Sequence, residues 1–593
     1  MSHDSVIAVL CKDSRICDIS DKVKASAYIG SKDNSFYSYA ATTASKNSVN
    51  VTCALPSESV VFDRLIFIGA KVNFQITYSV PKNTTIATNT KLFNYGKDCA
   101  FQPFPLNGMI ANNNVKVNSV SFNMAQDDLQ NVLLRTQDIN NLARSNMVMS
   151  PAYSDNCLEY NAAYGDQVNC VLKAYNLNTF SSLVSRGSHP ISDVQYFKNT
   201  TLINTGSAGG DQAAFKVSDT SVDGNTYTVK FSATFFEPLL LSPFIFSSQK
   251  MSRAGLTNVS RLTFNLTIDN LLRNVWSQLP IANLTDVSPS LLSVALQDKP
   301  FDNFAVYINC LTPQITDLVP PVSVLPCISY ERYISSVANL TTIKTNESKD
   351  VILNNLVLNQ IPEMIYVVVR KVMSATTYLD AKSFFSINNA TVNFMNAQGM
   401  LSNCNQQLLW KISRENGVAL NWYEWSGVAN GTNDSGTHAD QYLTGSILAI
   451  NPSKDLSLNS PYIANGTVGN FNLQIKLNVT NYYSTDQAPE IMIICKNSCY
   501  LKNMPGGSST LTLGYFDMAS LSTLVTKSNE PVIGNADVAN AQKNISDQLL
   551  GGLSEDQNDV DLPRQGAGYR GGSRAGGGRV GGGHQKRLNK ICI

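Results

Sequence analysis

The residues best equipped for chemistry lie near the far end of the chain. Arg564, Arg570, Arg574, Arg579, Lys586, Arg587 and Lys590 put seven cations behind one another, spaced largely by glycine, with Tyr569 among them. Cations on a pliable backbone neutralise phosphates by releasing counterions, and a tyrosine ring can stack on a base. The cluster therefore reads as a nucleic-acid contact, and its alternative is a solvated linker whose charge only aids solubility. An acidic stretch from Glu555 to Asp561 is segregated ahead of it. The glycines between 576 and 583 do not make a phosphate loop, since no strand precedes them and no Lys-Ser/Thr follows.

Elsewhere the reactive residue types do not converge. Walker loops, HExxH, dinucleotide fingerprints and nucleophile-elbow patterns are all missing. The four histidines, His3, His189, His438 and His584, are scattered. Twelve cysteines show no framework spacing; Cys11/Cys17 and Cys495/Cys499 are the close pairs, and no histidine accompanies the second. That pattern excludes a zinc site and a disulfide scaffold and leaves reduced, buried thiols as the expectation. No catalytic residue, cofactor site or metal site emerges, and the chain is expected not to be an enzyme.

Any such chain must still be held by something, and the elements are strands. The organising stretch runs from Phe101 to Arg135. Pro103 and Pro105 force an extended entry. Val115 and Val117 then share one strand face and Val120, Phe122 and Met124 the other, which suggests a bulge or bend. Asn123 is placed to cap a short helix with Asp127 and Asp128 in its first turn and Arg135 in its last. The order recurs at Ala390, Val392 and Phe394, followed by a helix bearing Leu408, Leu409 and Ile412. A long alternating strand closes each half, Leu262 to Ile268 and Phe471 to Val479. The chain reads as two versions of one β-domain.

In order, residues 1–45 suit an N-terminal arm. Residues 46–285 form a first domain with a large loop insertion at 139–215, where periodicity is lost. Residues 286–525 form a second domain, and 526–593 a flexible Gly/Arg-rich tail that cannot bury enough apolar surface to order itself. Strands end at Pro81, bend at Pro238 and Pro243, and finish with Ile491 to Cys495 as the last core strand.

Charged residues are only 15% and balance to +1. Low charge with abundant Asn, Ser and Thr fits a surface covered by copies of itself rather than a freely diffusing catalyst. No run approaches the roughly 18 apolar residues that span a bilayer. The N-terminus lacks a signal-peptide pattern, so the sequons at Asn83, Asn199, Asn258, Asn339, Asn430 and Asn478 read as composition.

Six stretches together carry a resemblance. They are Val61-Phe-Asp-Arg-Leu-Ile-Phe-Ile, Phe104-Pro-Leu-Asn through Arg135, Glu237-Pro-Leu-Leu-Leu-Ser-Pro-Phe-Ile-Phe, Ile361-Pro-Glu-Met-Ile-Tyr-Val-Val-Val-Arg, Asn389–Leu401 and Gly469-Asn-Phe-Asn-Leu-Gln. In order and spacing, over about residues 45–505, the chain resembles the double jelly-roll major capsid proteins of virophages, Polinton-type viruses and their adenovirus-hexon-like relatives. The resemblance implies an all-β chain of two antiparallel eight-stranded jelly rolls in tandem, with short helices in loops. It further implies homotrimeric, pseudo-hexameric capsomers that assemble in the host cell and tile an icosahedral virion shell. Partners would be neighbouring capsomers, penton and minor capsid proteins, and through the tail the viral genome or a maturation protease. Leu549-Leu550-Gly551-Gly552 is similar to the sites of adenovirus-type cysteine proteases, though Gly551-Gly552 equally suits the end of a short helix over 545–550. The rival class is a secreted or cell-surface β-sandwich adhesin.

Overall fold

Alternation in the sequence becomes alternation in burial. Strand Arg261–Ile268 buries Leu262, Phe264, Leu266 and Ile268 and turns Arg261 and Thr267 outward. Strand Thr467–Thr480 does the same with Phe471, Leu473, Ile475, Leu477 and Val479. Each such side chain contributes about 1.5–3 kcal/mol when fully buried. A slip of one residue would move the whole row into water, which pins the register.

The computed structural model describes residues 31–517, apart from 58–59, 80–89, 95–98, 137–153, 155–156, 160–190, 206–213, 218–225, 242–243, 245–254, 270–275, 279–291, 315–320, 336–341, 354, 378–379, 433–437 and 457–464. They belong to one compact unit, Ser31–Asn529. Its first roll has a sheet ordered Ser31–Ala40, Leu292–Pro313, Phe67–Ser79, Thr226–Pro238, Ile191–Lys198, Thr201–Thr205, with Val61–Phe62 beside Leu292–Pro313. A second sheet runs Thr43–Ala44, Ser48–Ala54, Arg261–Ile268, Ile110–Val117, Val120–Met124. The second roll repeats the plan. One sheet is Ser323–Ser335, Pro489–Met504, Met364–Lys371, Leu448–Ile450, with Ser508–Leu513 also on Pro489–Met504. The other is Ser348–Ile352, Thr467–Thr480, Ser386–Phe394, Ala397–Met400, with Leu356–Gln360 also on Thr467–Thr480. The inward rows of all four sheets belong to a continuous apolar cluster. The all-β double jelly roll expected from sequence is the fold, with extra edge strands.

The duplication is visible in the pairing. Arg261–Ile268 sits between Ser48–Ala54 and Ile110–Val117, as Thr467–Thr480 sits between Ser348–Ile352 and Ser386–Phe394. Each inner strand then turns through two residues into a short outer strand, pairing Val117 with Val120 and Phe394 with Ala397. The first turn residue is left-handed in both, Asn118 at φ 52° and Met395 at φ 54°. A helix follows in each case, Gln126–Leu133 and Gln406–Glu415.

Five expectations change. The face switch after Val117 is a hairpin rather than a bulge, because Asn118 takes the αL conformation that lets the chain reverse. Asn123 does not cap the helix; the N-cap is Ala125, without a side-chain cap, while Asn405 caps the second helix by accepting from Leu408 N at 2.9 Å. Leu292–Pro313, assigned from sequence to the second domain, pairs with Phe67–Ser79 and Ser31–Ala40 in the first roll, and the last part of the supposed arm is that sheet's edge strand. Within 139–215, Ile191–Lys198 and Thr201–Thr205 extend the sheet, and Cys157 and Leu158 are buried rather than on a surface loop. The closing strand, too, is longer than Ile491 to Cys495: it is Pro489–Met504, and Met504 opens the turn into Ser508–Leu513.

Candidate functional site

Two of the stretches singled out in the sequence lock onto each other. Pro105 starts a single helical turn, Pro105–Gly108, whose first N–H groups have no partner inside the turn. Glu237, fully buried at the end of Thr226–Pro238, accepts from Leu106 N at 3.1 Å, Asn107 N at 3.0 Å and Asn107 Nδ2 at 2.9 Å. Asn107 in turn donates to the Pro238 carbonyl at 2.9 Å and accepts from Leu240 N at 3.0 Å. The clamp closes the first roll around a buried anion.

A second construction joins the rolls. The helix Gln126–Leu133 presents Asp127 and Asp128 at its positive end. Asp128 is buried, and its two carboxylate oxygens pair with Arg332 and Arg370 of the second roll. Arg370 also binds Glu490 at 2.8 Å. Signs alternate along this row, so each inner charge has opposite neighbours on both sides. Beside it Lys371 pairs with buried Asp380 at 3.3 Å and lies over the Tyr483 ring. Arg135, just beyond the helix, donates to the Lys382 carbonyl at 3.2 Å, stacks over Phe384, and its own carbonyl accepts from Ala419 N at 2.8 Å.

Lys382 completes the seam. Its backbone is left-handed at φ 55° and its Nζ is buried without a hydrogen-bond partner. Burial pulls its pKa down to about 8 against the opposing pull of Asp380, Asp269 and Asp127, while burial pushes Asp127 upward. The cavity these side chains line holds about 30 Å³, room for one or two waters. At another point Asn118 Nδ2 donates to Ser509 Oγ at 2.8 Å and Asn258 Nδ2 to the Pro321 carbonyl at 3.0 Å. The insertion adds Ser383 Oγ to the Cys157 carbonyl at 2.6 Å. Such an arrangement fixes two domains; Asp128, Arg332, Arg370 and Glu490 are consumed by one another rather than presented to a substrate.

The outward face of the second roll explains the abundant amides. Asn388 donates to Asn478 at 2.9 Å, Asn478 to Asp350 at 2.7 Å, and Asn393 to Gln474 at 3.0 Å across neighbouring strands. Asn258 and Asn478 are thus engaged in the fold, which counts against the glycosylated adhesin reading. Large exposed apolar side chains concentrate on edge strands: Phe36 at 72% exposure, Leu202, Ile334, Ile352 and Val357.

Arg564, Tyr569, Arg570, Arg574, Arg579, Lys586, Arg587, Lys590 and Leu549–Gly552 all lie outside the described residues. The seam residues went unassigned in the sequence, although Arg370 ending the apolar run from Met364 was a signal that a charge there needs a buried partner. Among the described residues no three His, Cys, Asp or Glu side chains converge as a metal site, and no helix is long and apolar enough to cross a membrane.

Two tandem jelly rolls, locked by a buried charge row and bearing apolar edges, define a double jelly-roll capsid protein. The family model for the first domain of the Sputnik virophage major capsid protein matches residues 5–310, and the chain belongs to that family. It is a major capsid protein and a component of the virion. The model for the major capsid protein V20 C-terminal domain matches residues 330–499. A curated relative, the putative capsid protein V20 of Sputnik virophage, is 28% identical over 462 residues, covering 76% of this chain and 70% of the relative. The fold is similar to that in the 3.5 Å cryo-EM structure of the Sputnik virophage, with TM-score 0.70 and 24% identity over 90% of this chain and 98% of that one. It is also similar to the mavirus major capsid protein crystal structure, with TM-score 0.62 and 15% identity over 90% and 99% of the two chains.

Proposed function

We propose that three copies of this chain form a pseudo-hexameric capsomer and that such capsomers tile an icosahedral shell, together with penton and minor capsid proteins. The observation that carries this reading is the placement of Phe36, Leu202, Ile334, Ile352 and Val357 on strands at sheet edges. Exposed apolar edges invite pairing with another chain, and here they mark the faces that neighbours cover. Two similar rolls per chain give six similar blocks per trimer, and the seam keeps each pair rigid. The role is structural rather than catalytic.

We place the domain boundary between Pro313 and Ser323, where pairing passes from the first roll to the second. The basic tail residues Arg564 to Lys590 act as the genome contact, and Leu549–Gly552 as a maturation cleavage site that removes them. The support is composition: clustered cations behind a segregated acidic stretch, and small glycines that let a backbone enter a narrow cleft.

Light scattering of the purified chain tests the assembly. Because the contacts are apolar, trimers persist in about molar salt, where exposed ion pairs are screened. Phe36→Asp with Val357→Asp shifts the mass to monomer while leaving the melting profile folded. Dissociation of the wild-type trimer by salt alone overturns the apolar interface. Intact mass of particle-derived protein reads the tail: a chain ending at Gly552 supports cleavage, and a chain ending at Ile593 in infectious particles overturns it.

A further inference from the structure

Two thiols of the second roll stand directly across an antiparallel ladder. Cys327 lies on Ser323–Ser335 and Cys499 on Pro489–Met504, and the register pairs them between Pro326 with Tyr500 and Ile328 with Ser498. Opposed residues in such a ladder have Cα atoms about 4.5–5.5 Å apart. That range lies inside the roughly 4.4–6.8 Å that disulfides span. The Sγ atoms are 2.8 Å apart and either thiol can donate to the other. A covalent S–S bond is about 2.05 Å, so closure asks for a side-chain adjustment of under about 1 Å and no strand movement. Both residues are buried, which keeps the pair from other thiols.

The surroundings divide the roles. Arg64 from the first roll is buried and within electrostatic reach of Cys327. Cys499 is held as the thiol by its hydrogen bond to Cys327 and by burial, both of which push its pKa up. Cys327 sits on an edge strand of its sheet, Ser323–Ser335. Cys495 and Cys499, close in sequence, cannot meet: four residues along one strand separate them by about 13 Å.

We propose that Cys327 and Cys499 form a latent cross-strand disulfide, closed by a peroxide once the chain has folded. Cys327 as thiolate attacks one oxygen of hydrogen peroxide, giving a sulfenic acid and, with one proton, water. Cys499 then attacks the Cys327 sulfur, its proton leaving with the displaced hydroxide as a second water. Two thiols are oxidised to one disulfide and one peroxide is reduced to two waters. The bond staples an edge strand to its sheet across 172 residues of sequence. In the cytosol peroxide is kept low and the pair stays reduced during assembly, and loss of that environment lets it close; this timing rests on the capsid reading, whereas the chemistry of the pair does not.

The test uses the full-length reduced chain and hydrogen peroxide. After treatment the protein is denatured, alkylated and digested without reductant. The expected result is a Cys327–Cys499 linked peptide, a mass lower by two hydrogens, and a melting temperature raised by about 5 °C or more over the reduced chain. Cys499→Ser gives no linked peptide and no rise, with Cys327 recovered unlinked. Separate alkylation of both cysteines after peroxide, or linkage of Cys499 to another cysteine, overturns the proposal. For the timing, linked peptide is expected from released particles and not from infected cells lysed directly into alkylating agent. Equal linkage in both samples overturns the timing while leaving the bond in place.

Discussion

Asp128→Asn keeps the shape of the side chain and deletes the negative charge between Arg332 and Arg370. Removing one partner of a buried pair costs about 3–5 kcal/mol, because the other charge is left uncompensated. Two features lower that figure here. The Arg332 side chain is 36% exposed, so water replaces much of its partner and its share is about 0–1 kcal/mol. Arg370 is 12% exposed but keeps Glu490 at 2.8 Å on its other nitrogen. The expected loss is therefore about 2–4 kcal/mol. At about 2–4 °C per kcal/mol for units of this size, the melting temperature falls by about 4–16 °C. Calorimetry of the full chain at pH 7 and a fixed scan rate measures it. The penalty persists in high salt, since a buried row is screened little. A double-mutant cycle with Arg370→Met returns a coupling of about 1–3 kcal/mol. A loss under about 1 kcal/mol, or strict additivity in the cycle, would refute the view that this row holds the rolls together.

Two further perturbations probe the same architecture. Lys382 has a folded pKa of about 8, below its unfolded value of 10.5, so the unfolded chain binds more protons between those limits and the buried ammonium destabilises most below pH 8. Lys382→Met is thus more stable than wild type near pH 7 by about 1–3 kcal/mol, and the gap narrows as pH rises from 8 towards 10; a gap that widens in urea melts across that range contradicts the sign. Glu237→Ala strands the N–H groups of Leu106 and Asn107 and the Asn107 amide, at about 1–3 kcal/mol each. The first roll then loses about 3 kcal/mol or more, seen as early hydrogen exchange at 106–108, while unchanged protection there would place the clamp's energy elsewhere.

Much of this protein was legible along the chain because burial of one strand face is a local rule. Leu262 to Ile268 and Phe471 to Val479 alternate in sequence and alternate in burial, and the repeated order of strand and short helix, followed by a long alternating strand, exposed the duplication. The Asn118 turn was misread since a change of face looks the same whether a strand bulges or the chain reverses. What sequence could not carry is pairing over distance. Leu292–Pro313 crosses the apparent boundary because hydrogen bonding to Phe67–Ser79, not composition, decides which sheet owns it. Asp128 finds Arg332, Arg370 and through it Glu490, and Cys499 finds Cys327 rather than Cys495, only when two rolls pack and two strands register. Alternation depends on neighbours two residues away, and the sequence states it outright; a buried charge or thiol depends on partners hundreds of residues away, and only tertiary packing chooses them.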